Sequence, residues 1–386
     1  MIPERTLKFR AALLVPIFAL SLGCAGANQT PSAAERETVP EVHTAVSEKT
    51  TVEVTDEEYF TDRDKEQIPD LKKAIEVPLS DGRNIKINAE GVYVLKGSAK
   101  DVTVTVAEEN AKVQLVLDGA EITNTDKPCI YVESADKVFI TTAAESENNL
   151  KVTGTFQKDD NTKADAVIFS RDDLVLNGTG SLTVESTDNG IASNDDLKVT
   201  GGTLLVNAGN KGLDAKDRLL IADGNLTINA TDDGLHAENS DDDNLGMIYI
   251  GGGVIKVTCT DDAVHAVSEL RIDGGILDLT GREGLEATSI TINDGSLTIL
   301  ADDDGINAGK KSSTHTVQIT VNGGTIKITL ADEDSDGIDT NGSLTVSGGT
   351  IDITGGNPFD CKGRTEYSGG TIRIDGEAVN SIPVKN

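Results

Sequence analysis

Between Asp233 and Thr340 the chain repeats an acid, a small residue, an aliphatic, any residue and a small residue. The copies are Asp233-Gly234-Leu235-His236-Ala237, Asp262-Ala263-Val264-His265-Ala266, Glu283-Gly284-Leu285-Glu286-Ala287, Asp304-Gly305-Ile306-Asn307-Ala308 and Asp336-Gly337-Ile338-Asp339-Thr340. A second acid often stands beside the first, as at Asp188, Asp232, Asp261 and Asp303. Paired carboxylates on turns are donors for a hard cation, above all Ca²⁺, which takes carboxylate and carbonyl oxygens. The competing reading is a solvated acidic turn, or side chains that hydrogen-bond their own backbone and only shape the turn.

Two further sets of residues could do chemistry. Two residues past each acidic Gly position lies the line Asp214, His236, His265, Glu286, Asn307, Asp339 and Asp360, in which two neighbouring imidazoles followed by a carboxylate could ligate a transition metal. The alternative is a polar ladder on a flat face. Lys211 falls in the acidic line one step before Asp233. A lysine beside Ca²⁺ is the kind of base a polysaccharide lyase uses to take a proton next to a carboxylate, and Lys211 is the candidate for that role. A salt bridge capping the acids is its simpler use. No Ser-His-Asp or Gly-x-Ser-x-Gly arrangement occurs.

These residues must be carried by a repeating element. A Gly-Gly-x-aliphatic-x-aliphatic phrase returns through residues 177–375, and from Gly180 its second residue recurs at steps of 22, 22, 29, 22, 20, 29, 25 and 21. Each period holds three short strand patterns, such as Leu226-Thr227-Ile228, Leu235-His236-Ala237 and Ile248-Tyr249-Ile250. Three strands and three turns in about 22 residues fit one coil of a parallel β-helix. The aliphatics of one coil cannot offset the entropy of ordering it, so coils must stack. The parallel crossover rule makes the solenoid right-handed. The expected fold is therefore all-β, a right-handed parallel β-helix.

Stacking puts Asn189, Lys211, Asp233, Asp262, Glu283, Asp304 and Asp336 in one line. Carboxylates on adjacent coils about 4.8 Å apart would repel by roughly 3.5 kcal/mol at an effective dielectric near 20, which is the physical case for a cation among them. The same stacking accounts for three of the four cysteines, at 24, 129, 259 and 361. Cys259 joins the column Ser186, Ala208, Ala230, Gly281 and Ala301. Cys361 joins Ala215, Ala237, Ala266, Ala287, Ala308 and Thr340, and Cys129 precedes an aliphatic strand in the same way. All three read as buried structural thiols. The steps of 29 mark insertions over 238–246 and 309–316, where specificity is expected.

The N-terminal part is different. Arg5, Lys8 and Arg10 precede an apolar run, 11–22, too short to span a membrane, so residues 1–24 read as an export signal. It ends Ser21-Leu22-Gly23-Cys24, similar to a lipobox, with Cys24 the expected lipidation site. Ordinary cleavage after Ala25-Gly26-Ala27 is the alternative. Residues 25–75 read as a tether followed, between Asp56 and Ile75, by one or two helical turns capping the β-helix of 76–386. A net charge of −31 excludes nucleic acid as a partner. With seven Phe, five Tyr and no Trp, the chain also has few aromatic platforms.

Gly91-Val92-Tyr93-Val94-Leu95-Lys96-Gly97, the run from Val116 to Asn124 and the Asp-Asp-Gly-(Leu/Ile)-x-Ala turns resemble a bacterial family of secreted carbohydrate-binding β-helix proteins. The family is similar in fold to family 9 pectate lyases, and the likeness spans roughly residues 85–375. It implies binding of cellulose or polygalacturonate, and Ca²⁺ held by Asp232, Asp233, Asp261, Asp262, Asp303, Asp304, Asp336 and Asp339. A lyase's catalytic lysine cannot be placed on this chain, so the resemblance does not carry enzymatic activity with it. The expectation is a monomeric, exported, lipid-anchored protein that binds acidic polysaccharide with Ca²⁺. A polysaccharide lyase and a non-enzymatic surface adhesin are the rival functions.

Overall fold

The structure is a computed structural model and describes residues 59–157 and 164–383. The chain divides into Met1–Glu53 and Val54–Asn386, and every described residue belongs to the second unit. The export signal, Cys24 and most of the tether lie outside the described residues.

All regular structure among the described residues is β. A representative coil consists of Asn225–Ala230, Leu235–Ala237 and Met247–Ile250, the three strands read from the pattern. Each pairs in parallel with its equivalent one coil on: Leu226 with Ile255, Leu235 with Val264, and Ile248 with Leu270. This makes three ladders, named first, second and third in chain order. The parallel pairing ends at Thr371–Ile374, against which Glu377–Val379 runs antiparallel.

From Gly202 onward the coils are reset by a Gly-Gly or Asp-Gly turn, whose second residue has positive φ, for example +85° at Gly202, +97° at Gly275 and +77° at Gly349. A side chain at Gly349 would also meet the Gly323 carbonyl oxygen of the coil below at 2.6 Å. Only glycine meets both conditions. Inside, stacked aliphatics such as Leu226, Ile255 and Leu277 are 0–1% exposed. The predicted column that ends at Cys361 holds: Ala215, Ala237, Ala266, Ala287, Ala308, Thr340 and Cys361 are successive register partners. Of the Cys259 column, Ala208 pairs with Ala230 and Gly281 with Ala301. Cys129, Cys259 and Cys361 are free and buried, and burial pushes each thiol up to about 12.

The expected helical cap is not formed among the described residues. Residues 59–74 form a turn around Thr61–Lys65 and a second, closed by the Ala74 amide on the Leu71 carbonyl at 3.1 Å, with irregular chain between them. Ile68, Leu71 and Ile75, which suggested a helical face, are 75%, 49% and 52% exposed. The anchors are other residues, which lie across the outward side of the third ladder. Phe60 packs on Leu220 and Tyr249. The fully buried Asp64 carboxylate meets Lys137 at 3.3 Å and Lys198 at 3.6 Å. Gln67 donates to the Thr200 carbonyl at 2.9 Å and accepts from the Gly178 amide at 2.8 Å. These contacts fix the path of the segment in place of helical hydrogen bonds.

Candidate functional site

The acidic turn lies at the entrance to the second ladder. Its glycine is required by packing: a β-carbon at Gly234 would meet Val257 Cγ1 at 2.2 Å and the Ala263 carbonyl oxygen at 2.8 Å. The coils stack here through backbone hydrogen bonds, from Gly212 to Asp233, Gly234 to Asp262, Ala263 to Glu283, Gly284 to Asp304 and Gly305 to Asp336. The acids therefore form the line expected of them. Part of each carboxylate shapes the turn: Asp233 Oδ1 accepts from the Asp262 amide at 3.2 Å and Asp304 Oδ1 from the Asp336 amide at 3.0 Å.

Much of the counter-charge for this line is supplied by the chain itself. Arg282 occupies, in its own coil, the position that Asp232, Asp261 and Asp303 hold in theirs. It reaches Asp261 at 2.6 Å, Asp262 at 3.0 Å, Glu283 at 2.8 Å and Asp303 at 3.1 Å. Lys211 bonds Asp232 at 2.8 Å and Asp233 at 2.5 Å. Burial alone would lower the Lys211 pKa, but these two carboxylates outweigh it and raise it. Lys211 is held protonated, the opposite of what proton abstraction needs, and serves as a counter-ion. Even so, burial, with Glu286 and Asp262 nearby, pushes Glu283 up to about 8.

Further along, the four contacts of Arg282 do not include Asp304 or Asp339, and it is the charge of Lys362 that acts on Asp339. Burial pushes Asp304 up to about 6. Burial, together with Asp360 and Asp336, also raises Asp339, whose Oδ1 is buried without a hydrogen-bond partner. The described residues converge into three sets with ligand atoms within 4.8 Å of one another. They are Asp232, Asp233 and Asp261; Asp233, His236 and His265; and Asp262, His265 and Glu286. Asp303, Asp304, Asp336 and Asp339 are not drawn into such a set.

The second ladder's outward column confirms the polar line, with Asp214, His236, His265, Glu286, Asn307, Asp339 and Asp360 as successive partners. His236 Nδ1 lies 2.7 Å from Asp214 and its Nε2 3.6 Å from Glu238. Burial would lower its pKa, but the bonds to Asp214 and Glu238 prevail and raise it to about 9.

The column also extends in the other direction, from Asp214 to Ala192, Phe169 and Tyr131. Beside it opens a groove of about 710 Å³ lined by Asp165, Phe169, Arg171, Ala192, Ser193, Asn194, Asp214, Lys216, His236, Glu238 and Ser240. Phe169 is 5% exposed and belongs to the floor, packed with Ala192 and near Tyr131. Arg171 stands over the Tyr131 ring at 5.9 Å. Glu238 and Ser240 come from the first insertion. Its tip is tied to the second insertion, where Ser312 and Thr314 donate to the Asp243 carbonyl at 2.7 and 2.8 Å.

Sequence reasoning missed Arg171, Phe169 and Arg282. The first two precede the first regular acidic turn, so their column was not extended to them. Arg282 could have been found by asking what replaces the second acid before Glu283.

Fold and groove together define a parallel β-solenoid with a polar lateral groove and an outward ladder of acids and imidazoles. The chain belongs to the carbohydrate-binding domain family: a family model described as carbohydrate-binding domain-containing protein matches residues 81–334 and 280–379. A carbohydrate-binding domain-containing protein from Acetivibrio thermocellus is 44% identical over 196 residues, covering 50% of this chain and 68% of the relative. A solved structure of the polysaccharide lyase-like protein from C. thermocellum, a gadolinium derivative, is 30% identical with a TM-score of 0.51. The match covers 58% of this chain and 93% of that one.

Proposed function

We propose that this chain binds acidic, polygalacturonate-like polysaccharide along the outward face of the second ladder, assisted by Ca²⁺. The observation that carries the reading is the groove. In a protein of net charge −31, Arg171, Lys216 and His236 meet there with Asp165, Asp214 and Glu238. Cationic donors suit uronate carboxylates, and the acids suit sugar hydroxyls. The ladder continuing from the groove offers a linear polymer repeated polar contacts.

Ca²⁺ is assigned to Asp304, Asp336 and Asp339, all oxygen donors: Asp339 Oδ1 has an unmet acceptor, and the three carboxylates, which do not converge as they stand, would draw together round the ion. Asp232, Asp233, Asp261 and Asp262 would take it only in exchange for Lys211 and Arg282, and Asp303 only in exchange for Arg282. Cation bound there would lessen the repulsion of an anionic polymer. Export and lipid anchoring through Cys24 complete the proposal.

A glycan screen of the full chain, run with Ca²⁺ and with chelator, tests it. Retention of polygalacturonate in Ca²⁺, weakened by chelator and exceeding that of neutral glucan, is expected. Equal retention in both conditions would remove Ca²⁺ from the account. Unsaturated uronide released on incubation would replace binding by lyase activity.

A further inference from the structure

One cluster on the outward face has donors unsuited to Ca²⁺. His236 Nε2 lies 3.8 Å from Asp233 Oδ2, and His265 Nδ1 lies 3.9 Å from the same oxygen. The three ligand atoms fall within 4.8 Å of one another, and the two rings stand edge to face with centroids 5.2 Å apart. Ligands about 2.0–2.1 Å from a tetrahedral metal sit roughly 3.4 Å apart, so each imidazole–carboxylate pair would close by about half an ångström, His265 Nδ1 turning from Asp262 and Glu286, each at 3.2 Å.

The surroundings are built for ligation in a second respect. Asp214 holds His236 Nδ1 at 2.7 Å, which orients the ring in the carboxylate–histidine arrangement of bound metals, and an ion at Nε2 would replace the contact with Glu238 at 3.6 Å. Asp233 and His236 are 4% and 7% exposed in their side chains, so both are held by packing on adjacent coils. Lys211 also bonds Asp233 Oδ2 but is already shared with Asp232 at 2.8 Å, and can give up the first without losing the second.

We infer that His236, His265 and Asp233 form a site for a divalent transition metal such as Zn²⁺, separate from the all-oxygen Ca²⁺ ligands and bordering the groove through His236. Two imidazoles and one carboxylate select such an ion over Ca²⁺, which takes oxygen almost exclusively. The inference does not depend on glycan binding.

Titration of the full chain with Co²⁺, followed by visible absorption, tests it. One equivalent should give low-symmetry d–d bands, displaced by Zn²⁺ but not by a tenfold excess of Ca²⁺. His236→Ala and His265→Ala should each weaken uptake at least tenfold, while His315→Ala, outside the site, should behave as wild type. Absence of saturable uptake, uptake unchanged in both variants, or displacement by Ca²⁺ would overturn the assignment. Melting in chelator shows whether the variants fold. If they do not, imidazole ¹⁵N shifts of the wild type on adding Zn²⁺ decide instead: movement of two histidines supports the site and no movement refutes it.

Discussion

Replacing Arg282 with Ala removes the cation that four carboxylates share. Two of those acids, Asp262 and Glu283, are 2% and 4% exposed in their side chains, and two, Asp261 and Asp303, are 42% and 53% exposed. A charge-assisted hydrogen bond to a buried acid contributes about 1.5–3 kcal/mol, and an exposed ion pair about 0–1 kcal/mol. Asp262 keeps its contact with His265 at 3.2 Å and Glu283 its bond from Asn307 at 3.0 Å, which moderates the loss. The expected cost is about 3–5 kcal/mol.

The assay is thermal unfolding at pH 9, where Glu283, pushed up to about 8, is ionised in the wild type; without the Arg282 charge that lowers it, Glu283 shifts further up in the variant. At roughly 2 °C per kcal/mol for a large domain, Tm should fall by about 6–10 °C. Because a coil contacts only its neighbours, hydrogen exchange should rise first in the coils around Arg282. Ca²⁺ should partly rescue the variant, by about 2.7 kcal/mol at a hundred times its Kd, since the vacated position leaves converging oxygens. A Tm change under 1 °C would mean that the acidic line is well solvated, and the argument for counter-charge would fail.

Two other predictions follow from the frame and its turns. Burial, a hydrogen bond that protonated Asp195 donates to Asp217 and the charge of Asp173 push Asp195 up to about 7, so the folded state keeps a proton that the unfolded chain has already lost. That stability is full below the ordinary Asp value near 3.8 and is lost as pH rises through about 7; Asp195→Asn should therefore raise Tm at pH 8 and leave it nearly unchanged at pH 3.5. Gly349→Ala should lower stability by about 1–3 kcal/mol in denaturant melts, because φ is +77° and the Gly323 carbonyl oxygen lies 2.6 Å from the new carbon. Gly309→Ala, with nothing within 4 Å, should leave the melt unchanged.

The coil was legible because two signals recurred together: aliphatics at alternate positions, and a glycine, often the second of a pair, where φ turns positive. The register followed from them, and with it the Ala and Cys columns and the polar line from Asp214 to Asp360. Charge balance was less legible. Acids were counted by type along their column, whereas Arg282 acts through its reach to four carboxylates in three coils. The edge segment was misread because its anchors are long-range. Lys198 donates to the Tyr59 carbonyl across 139 residues and Gln67 to that of Thr200 across 133, so local periodicity carries no trace of either. The groove was missed for a related reason, since Phe169 and Arg171 join the outward column only once the coils before the regular phrase are stacked on it.

The central claim is that the groove takes acidic polysaccharide. Calorimetric titration of the full chain with polygalacturonate oligomers, comparing wild type with an Arg171→Ala, Lys216→Ala double variant, tests it most directly. Two charge-assisted contacts predict a loss of at least tenfold in affinity, equivalent to about 1.4 kcal/mol or more, while loss of the exposed Lys216–Asp241 pair and of the Arg171–Tyr131 contact lowers the melting temperature by no more than about 2–4 °C. Wild-type affinity in a folded double variant would contradict the account.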